Sequence, residues 1–170
     1  FKHTVRTFIS AMDILVDGAS YPTEKIALRS HLYRTIGLGY ANLGALLMSL
    51  GLPYDSDEGR ATAASITALM TGQKYLRSTE MAEKLGPFKE YEKNRDATLR
   101  VLRKHRSALE SIDRKNMPHG LEGMLDEAEN VWNQTVERAE QYGVRNAQAT
   151  VLAPTGTISF QMGADTFGIE

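Results

Sequence analysis

Residues 148–159 read QATVLAPTGTIS: a β-branched, apolar run, a proline, then threonine, glycine, threonine, isoleucine and serine with no charge among them. The first half has the composition of a short buried strand over residues 148–153. That expectation decides the fold class, because almost everything else in the chain reads as helix. A lone strand leaves its backbone N–H and C=O groups unpaired, so it requires partners.

Upstream, Phe1, Val5, Phe8, Met12 and Leu15, joined by Ile9 and Val16, recur at three- and four-residue steps. This predicts an amphipathic helix ending near Asp17-Gly18, with Gly18 suited to a left-handed cap. Tyr21-Pro22-Thr23-Glu24 restarts the chain, and Thr23 is placed to cap a short helix reaching about Arg29. Residues 33–38 read as a second short strand, and residues 41–50 as a helix buried nearly all round. Asp55, Ser56, Asp57 and Glu58 put acceptors and negative charge at the start of a long helix running to Leu85 and stopped by Gly86-Pro87. A polar helix over residues 91–113 follows, then a turn at residues 116–120. The apolar stripe from Leu121 through Trp132 to Ala139 predicts another helix, closed by Tyr142-Gly143. The fold class expected is mostly α with a few buried strands, in one domain without repeats or linkers.

With 170 residues, 42% of them hydrophobic, the chain can bury a substantial core. Twenty Lys and Arg against 21 Asp and Glu give a net charge of −1, which supplies no electrostatic reason for a nucleic-acid or acidic-membrane partner. Cysteine is absent, so disulfides, thiolate metal sites and radical thiols cannot arise within these residues. No apolar run has the length to cross a bilayer, and FKHTVRTFISAMDILVDG lacks the pattern of a signal peptide. A cytoplasmic setting is expected. The chain opens at Phe1 inside a helical pattern and stops at Glu170, which reads as an internal piece of a longer polypeptide.

Few residues carry chemistry. GLGYANLG, from Gly37 to Gly44, approaches a dinucleotide fingerprint, but Asn42 occupies the position of the third glycine and Gly44 comes two residues late. Glycines that permit close packing are the better reading. His3, His31, His105 and His119 are scattered without ligand spacing, and no metal site is expected. Arg100, Arg103, Lys104, His105 and Arg106, flanked by Glu110 and Asp113, read as a solvated helix face. Trp132 and the methionines read as core, and no carboxylate pair stands out as general acid and base.

The stretch after Pro154 is different. A turn there entering a helix leaves N–H groups without internal partners, and the helix dipole favours an anion by about 0.3–1 kcal/mol per charge. Gly156 keeps no side chain between an oxyanion and the backbone, while Thr155 and Thr157 add hydroxyls. The lysine of a nucleoside-triphosphatase loop is missing. Two readings stand side by side: a phosphate cradle, or a helix cap made with threonine.

RTIGLGYANLGALLMSLGLPYDSDEGR, ILVDGASYPTEKI and RNAQATVLAPTGTIS together resemble the adenosylcobalamin-dependent (class II) ribonucleotide reductases, and the resemblance runs from FKHTVRTFISAMDILVD through MGADTFGIE. It implies that the chain is an incomplete internal part, residues 1–170, of a catalytic domain folded as a ten-stranded α/β barrel. Members of that family convert ribonucleotides to 2′-deoxyribonucleotides. Cobalt–carbon cleavage generates a cysteine thiyl radical on a finger loop, the radical abstracts the ribose 3′ hydrogen, and a second pair of cysteines supplies electrons.

The resemblance therefore implies a ribonucleoside-diphosphate or -triphosphate reductase using adenosylcobalamin. It further implies nucleotide effectors and a thioredoxin-like reductant as partners, and it is compatible with a homodimer. Pro154, Thr155, Gly156, Thr157 and Ile158 would line the substrate phosphate site, largely through backbone amides. The family commonly has Asp-Cys-Asp-Thr-Thr-Gly-Ile-Glu where this chain has Gly163, Ala164, Asp165, Thr166, Phe167, Gly168, Ile169 and Glu170. No role follows for Asp165 or Glu170, and without cysteine the segment alone is expected to be inactive. The alternative reading is a helical protein-interaction module in which the Thr-Gly-Thr turn serves only as a cap.

Overall fold

A computed structural model describes residues 1–169 and holds seven α-helices among them. They are α1 (Lys2–Gly18), α2 (Glu24–Tyr33), α3 (Leu43–Ser49), α4 (Asp57–Leu85), α5 (Tyr91–Ala108), α6 (Glu122–Tyr142) and α7 (Gly156–Met162), with 3₁₀ turns at Leu109–Ser111 and Arg114–Asn116. None of the helices is long and apolar enough to cross a membrane.

The caps follow the sequence. Ser56 Oγ accepts the Gly59 N–H at 3.0 Å, and Asp57 and Glu58 fill the first turn of α4. Thr23 Oγ1 accepts the Ile26 N–H at 3.3 Å to start α2, which continues four residues beyond the expected Arg29. Gly143, at φ 73°, ends α6. Gly18 instead closes α1 without entering the left-handed region, since Ala19 leaves the helix in an extended conformation.

Helix α4 runs through the centre. It packs chiefly against α6 and, on another side, against α1, while α5 covers α6. This central position explains why α4 is buried on nearly every face, from Ala61 to Ala82. Trp132 of α6 is 1% exposed, stacks on His105 at 5.6 Å and donates from Nε1 to the Ala68 carbonyl at 3.0 Å. Both the apolar body and the polar handle of the ring are thereby satisfied. Arg103 pairs with Glu140 at 2.6 Å on an exposed face, in keeping with a solvated basic patch.

Two helices differ from expectation. The face of α1 that goes inside is Val5, Ile9, Asp13 and Val16, while Phe1, Phe8 and Leu15 remain outside. Helix α3 is shorter than residues 41–50 and only one side of it is covered: Leu43, Gly44 and Leu47 are buried, whereas Met48 is 66% exposed.

The expected fold class needs correction. The described residues contain no sheet and no part of a ten-stranded α/β barrel, and neither predicted strand forms. Residues 33–38 and 148–153 do run side by side, but they meet in one isolated parallel bridge, Leu38 with Thr150. Ile36 N–H donates to the Gln148 carbonyl at 3.0 Å, Leu38 N–H to Ala149 at 3.1 Å, and Val151 N–H to Leu38 at 3.2 Å. The physical reason is that each extended segment finds a neighbour on one side only, over two or three residues, which is too short for a ladder. Close approach of the two segments is what the glycines permit. A Cβ on Gly39 would lie 2.2 Å from the Val151 carbonyl oxygen, so no larger residue fits there.

Candidate functional site

After the bridge at Thr150, the chain passes Pro154 and turns at Thr155, whose φ of 56° lies in the left-handed region. Helix α7 begins at the next residue. Ser159, fully buried, fixes the turn from inside: its N–H donates to the Thr155 carbonyl at 3.0 Å and its Oγ lies 2.9 Å from Thr155 Oγ1. Thr155 Oγ1 also accepts the Gly168 N–H at 2.7 Å. The Thr155 hydroxyl is thus engaged within the protein, and Thr157 carries the exposed hydroxyl of the turn.

The N–H groups of Gly156, Thr157 and Ile158 have no acceptor among the described residues. A Cβ built on Gly156 would meet nothing within 4 Å. The five residues singled out in the sequence, 154–158, are therefore contiguous and open, with three donors pointing away from any internal partner. No lysine or arginine follows Arg145. The donors that the turn itself offers an anion are neutral, aided by the dipole of α7, as at other helix starts. A cavity of about 600 Å³ adjoins the turn, lined among others by Phe8, Gly37, Gly39, Val151, Ala153 and Thr155. Its walls are mainly apolar, with Thr155 at one edge.

Sequence reasoning missed the parts that hold this turn in place. Asn42, noted only for spoiling a glycine fingerprint, has φ 73° and accepts at Oδ1 from the N–H groups of Asp165 and Thr166, both at 3.0 Å. The second missed feature is a buried polar cluster. Arg34 Nε donates to Asp13 Oδ1 at 2.8 Å, and its Nη atoms reach Asp17 at 2.7 and 3.0 Å. Asn146 Nδ2 donates to Asp13 Oδ1 at 2.8 Å and to the Arg34 carbonyl at 3.1 Å, while Ser78 donates to Asn146 Oδ1 at 2.9 Å. Burial alone would loosen the Arg34 proton, but the bonds with Asp17 and Asp13 outweigh it, so the guanidinium holds its charge more firmly than usual. The same bond from Arg34 keeps the Asp17 carboxyl below the ordinary carboxylate range. A signal existed: Asp13 lies on the same helical stripe as Ile9 and Val16, at a position that periodicity assigns to the core.

Lys74 is the third. It is fully buried in α4, and its Nζ donates to the Leu38 carbonyl, the same oxygen that accepts the Val151 N–H. Burial lowers its pKa to about 8. The four histidines stay apart, and no group of three or more His, Asp or Glu among the described residues is disposed to hold a metal ion.

The family model described as ribonucleotide reductase, barrel domain, matches residues 1–170. Among curated proteins, the vitamin B12-dependent ribonucleotide reductase of Rhodopirellula baltica is 49% identical across the whole chain, which covers 16% of that relative. The protein of the same name from Agrobacterium fabrum is 46% identical, again across the whole chain, which covers 14% of it. That of Streptantibioticus cattleyicolor is 46% identical, with 28% of its length covered. The chain spans less than a third of the length of each of these relatives. A match over every residue, with identity this high, leaves one conclusion: the chain belongs to the ribonucleotide reductase barrel-domain family.

Proposed function

We propose that this chain supplies the substrate phosphate-binding loop of a ribonucleotide reductase, built from Pro154, Thr155, Gly156, Thr157 and Ile158. The observation that carries the reading is the row of bare N–H groups at Gly156, Thr157 and Ile158, beside a residue without a side chain. The exposed Thr157 hydroxyl adds a further donor, and the adjoining apolar cavity offers room for the less polar part of a nucleotide. A diphosphate and a triphosphate present the same kind of terminal oxyanion to these donors, so the loop reads phosphate rather than chain length.

On this reading the complete polypeptide converts ribonucleotides to 2′-deoxyribonucleotides in the cytoplasm. Nucleotide effectors and a thioredoxin-like reductant are its partners, and the reading is compatible with a homodimer. The relatives' names carry dependence on vitamin B12, which supports adenosylcobalamin as the cofactor. Neither the cavity beside the turn nor the one beside Trp132 encloses it on its own. The cavities of about 600 and 570 Å³ are of a size for a small ligand rather than a corrin with its nucleotide tail, and no histidine opens into the first of them. With no cysteine in the chain, the thiyl radical and the reducing thiols belong to residues outside it, and the segment alone is inactive. Its contribution is positioning: anchoring the anionic end fixes where the ribose lies.

Gly156→Leu in the complete polypeptide tests the assignment. The backbone there has room for a Cβ and no left-handed strain, so the fold should persist with an unchanged melting temperature. The KM for ribonucleotide should rise at least about tenfold, the equivalent of one good interaction lost in binding. Unchanged affinity in a folded variant overturns the phosphate assignment.

A further inference from the structure

We propose that Asn42 is a positioning residue for the phosphate loop, acting through the turn at residues 163–168; this rests on the reading of residues 154–158 given above. Asn42 lies at the start of α3, far from the loop in sequence, and its side-chain hydrogen bonds go to Asp165 and Thr166, none to Gly156, Thr157 or Ile158. Its Oδ1 gathers the Asp165 N–H, the Thr166 N–H and, at 3.3 Å, the Thr166 hydroxyl. The Ala45 N–H of α3 lies 3.4 Å from the same hydroxyl. One end of the turn is thereby tied to α3.

The other end is tied to the loop. Two residues beyond Thr166, the Gly168 N–H donates to Thr155 Oγ1 at 2.7 Å. A Cβ on Gly168 would come within 3.2 Å of both the Ala153 and Pro154 carbonyl oxygens, so the turn lies directly against the back of the loop. Thr155 is the left-handed residue that aims the following N–H groups, and it is held from behind by Gly168 and from below by Ser159. Loss of the Asn42 acceptor frees the turn, and with it one of the two supports of Thr155.

The residue type at 42 meets two demands at once. Asparagine enters the left-handed region more readily than most side chains, and its amide oxygen accepts several N–H groups together. The two demands separate by substitution. Asn42→Gly keeps the backbone conformation and removes the acceptor, whereas Asn42→Asp keeps both and adds charge.

The test is made in the complete polypeptide with inorganic pyrophosphate as probe, by calorimetric titration, together with amide hydrogen exchange over residues 163–168 and a thermal melt. Asn42→Gly should accelerate exchange at Asp165 and Thr166 and weaken pyrophosphate binding about tenfold, with little change in melting temperature. Asn42→Asp should retain slow exchange and recover binding, and any residual deficit should shrink as salt screens the added charge. If Asn42→Gly fails to fold, Thr166→Val, which removes the hydroxyl links to Asn42 and Ala45, should produce the same loss in milder form. Wild-type binding with equal affinity in the folded variants overturns the positioning role. Absence of any pyrophosphate binding by the wild type overturns the phosphate reading, on which this role depends, while the exchange data still show whether Asn42 clamps the turn.

Discussion

Replacing Lys74 by methionine removes a charge from the most enclosed part of α4 while leaving an unbranched side chain to fill the space. The ammonium donates to the Leu38 carbonyl, and no carboxylate among the described residues lies within ion-pair distance of it. Its pKa falls from 10.5 to about 8 because burial penalises the charged form. The sign follows from proton counting. The unfolded lysine keeps its ordinary affinity, so between pH 8 and pH 10.5 the unfolded chain binds more protons than the folded one, and stability rises with pH across that window. At about 1.4 kcal/mol per tenfold change in proton affinity, the full effect is about 3 kcal/mol, reduced to about 1.5 kcal/mol by local relaxation around the buried charge. Tyr75 and Tyr91 have pKa values raised by burial, and they act in the opposite direction once the pH passes their ordinary value near 10. The informative quantity is therefore the wild-type stability minus that of Lys74→Met, from urea unfolding followed by circular dichroism at pH 7, 8, 9 and 10. That difference should grow by about 1–1.5 kcal/mol from pH 7 to pH 10, with the variant at least as stable as the wild type at pH 7. A flat difference would refute the buried, uncompensated charge. A variant weaker by more than about 2 kcal/mol at pH 7 would show instead that the bond to Leu38 outweighs the cost of burial.

Asp13→Ala should destabilise the chain by about 3 kcal/mol, since it strands part of the buried Arg34 guanidinium and leaves Asn146 Nδ2 with one acceptor fewer. The double variant Asp13→Leu with Arg34→Met should recover part of that loss in urea unfolding; a double variant weaker than the single one would contradict the account. Gly39→Ala should cost about 1–3 kcal/mol by forcing the 36–38 segment away from Val151, read as a lowered denaturation midpoint.

Helix starts and helix spacing were legible because they are written locally. Ser56 with Asp57 and Glu58, Thr23, and the stripe through Trp132 each state their structure within a few residues, and α2, α4 and α6 form where those signals lie. The open turn at residues 154–158 was legible for the same reason: glycine flanked by hydroxyls, without charge, after a proline. Burial was less legible. Phe8 and Leu15 satisfy helical spacing as well as Ile9 does, yet they stay outside because α4 covers only the stripe that also contains Asp13. Spacing defines an apolar arc, and the neighbour decides which edge of it is used.

The strands fail for a related reason. Residues 148–153 have strand composition, but composition is a preference for half-buried extended backbone, and a ladder depends on what lies alongside. Here the only neighbour found among the described residues is the 36–38 segment, and it yields one bridge. The supports of the candidate site share this dependence on partners distant in sequence. Asn42 meets Thr166, Lys74 meets Leu38, and Arg34 meets Asp13, joining residues 124, 36 and 21 positions apart. No short pattern encodes such pairings. What a pattern can register is the discord they create locally: a carboxylate in an apolar stripe, a lysine in the middle of a buried helix, an asparagine where a glycine motif breaks. Each of the three proved to be a place where a polar side chain holds two elements in register. The turn that offers its N–H groups at residues 156–158 is backed by the 163–168 turn that one of them, Asn42, binds, and it follows the Val151 backbone that shares the Leu38 carbonyl with another, Lys74.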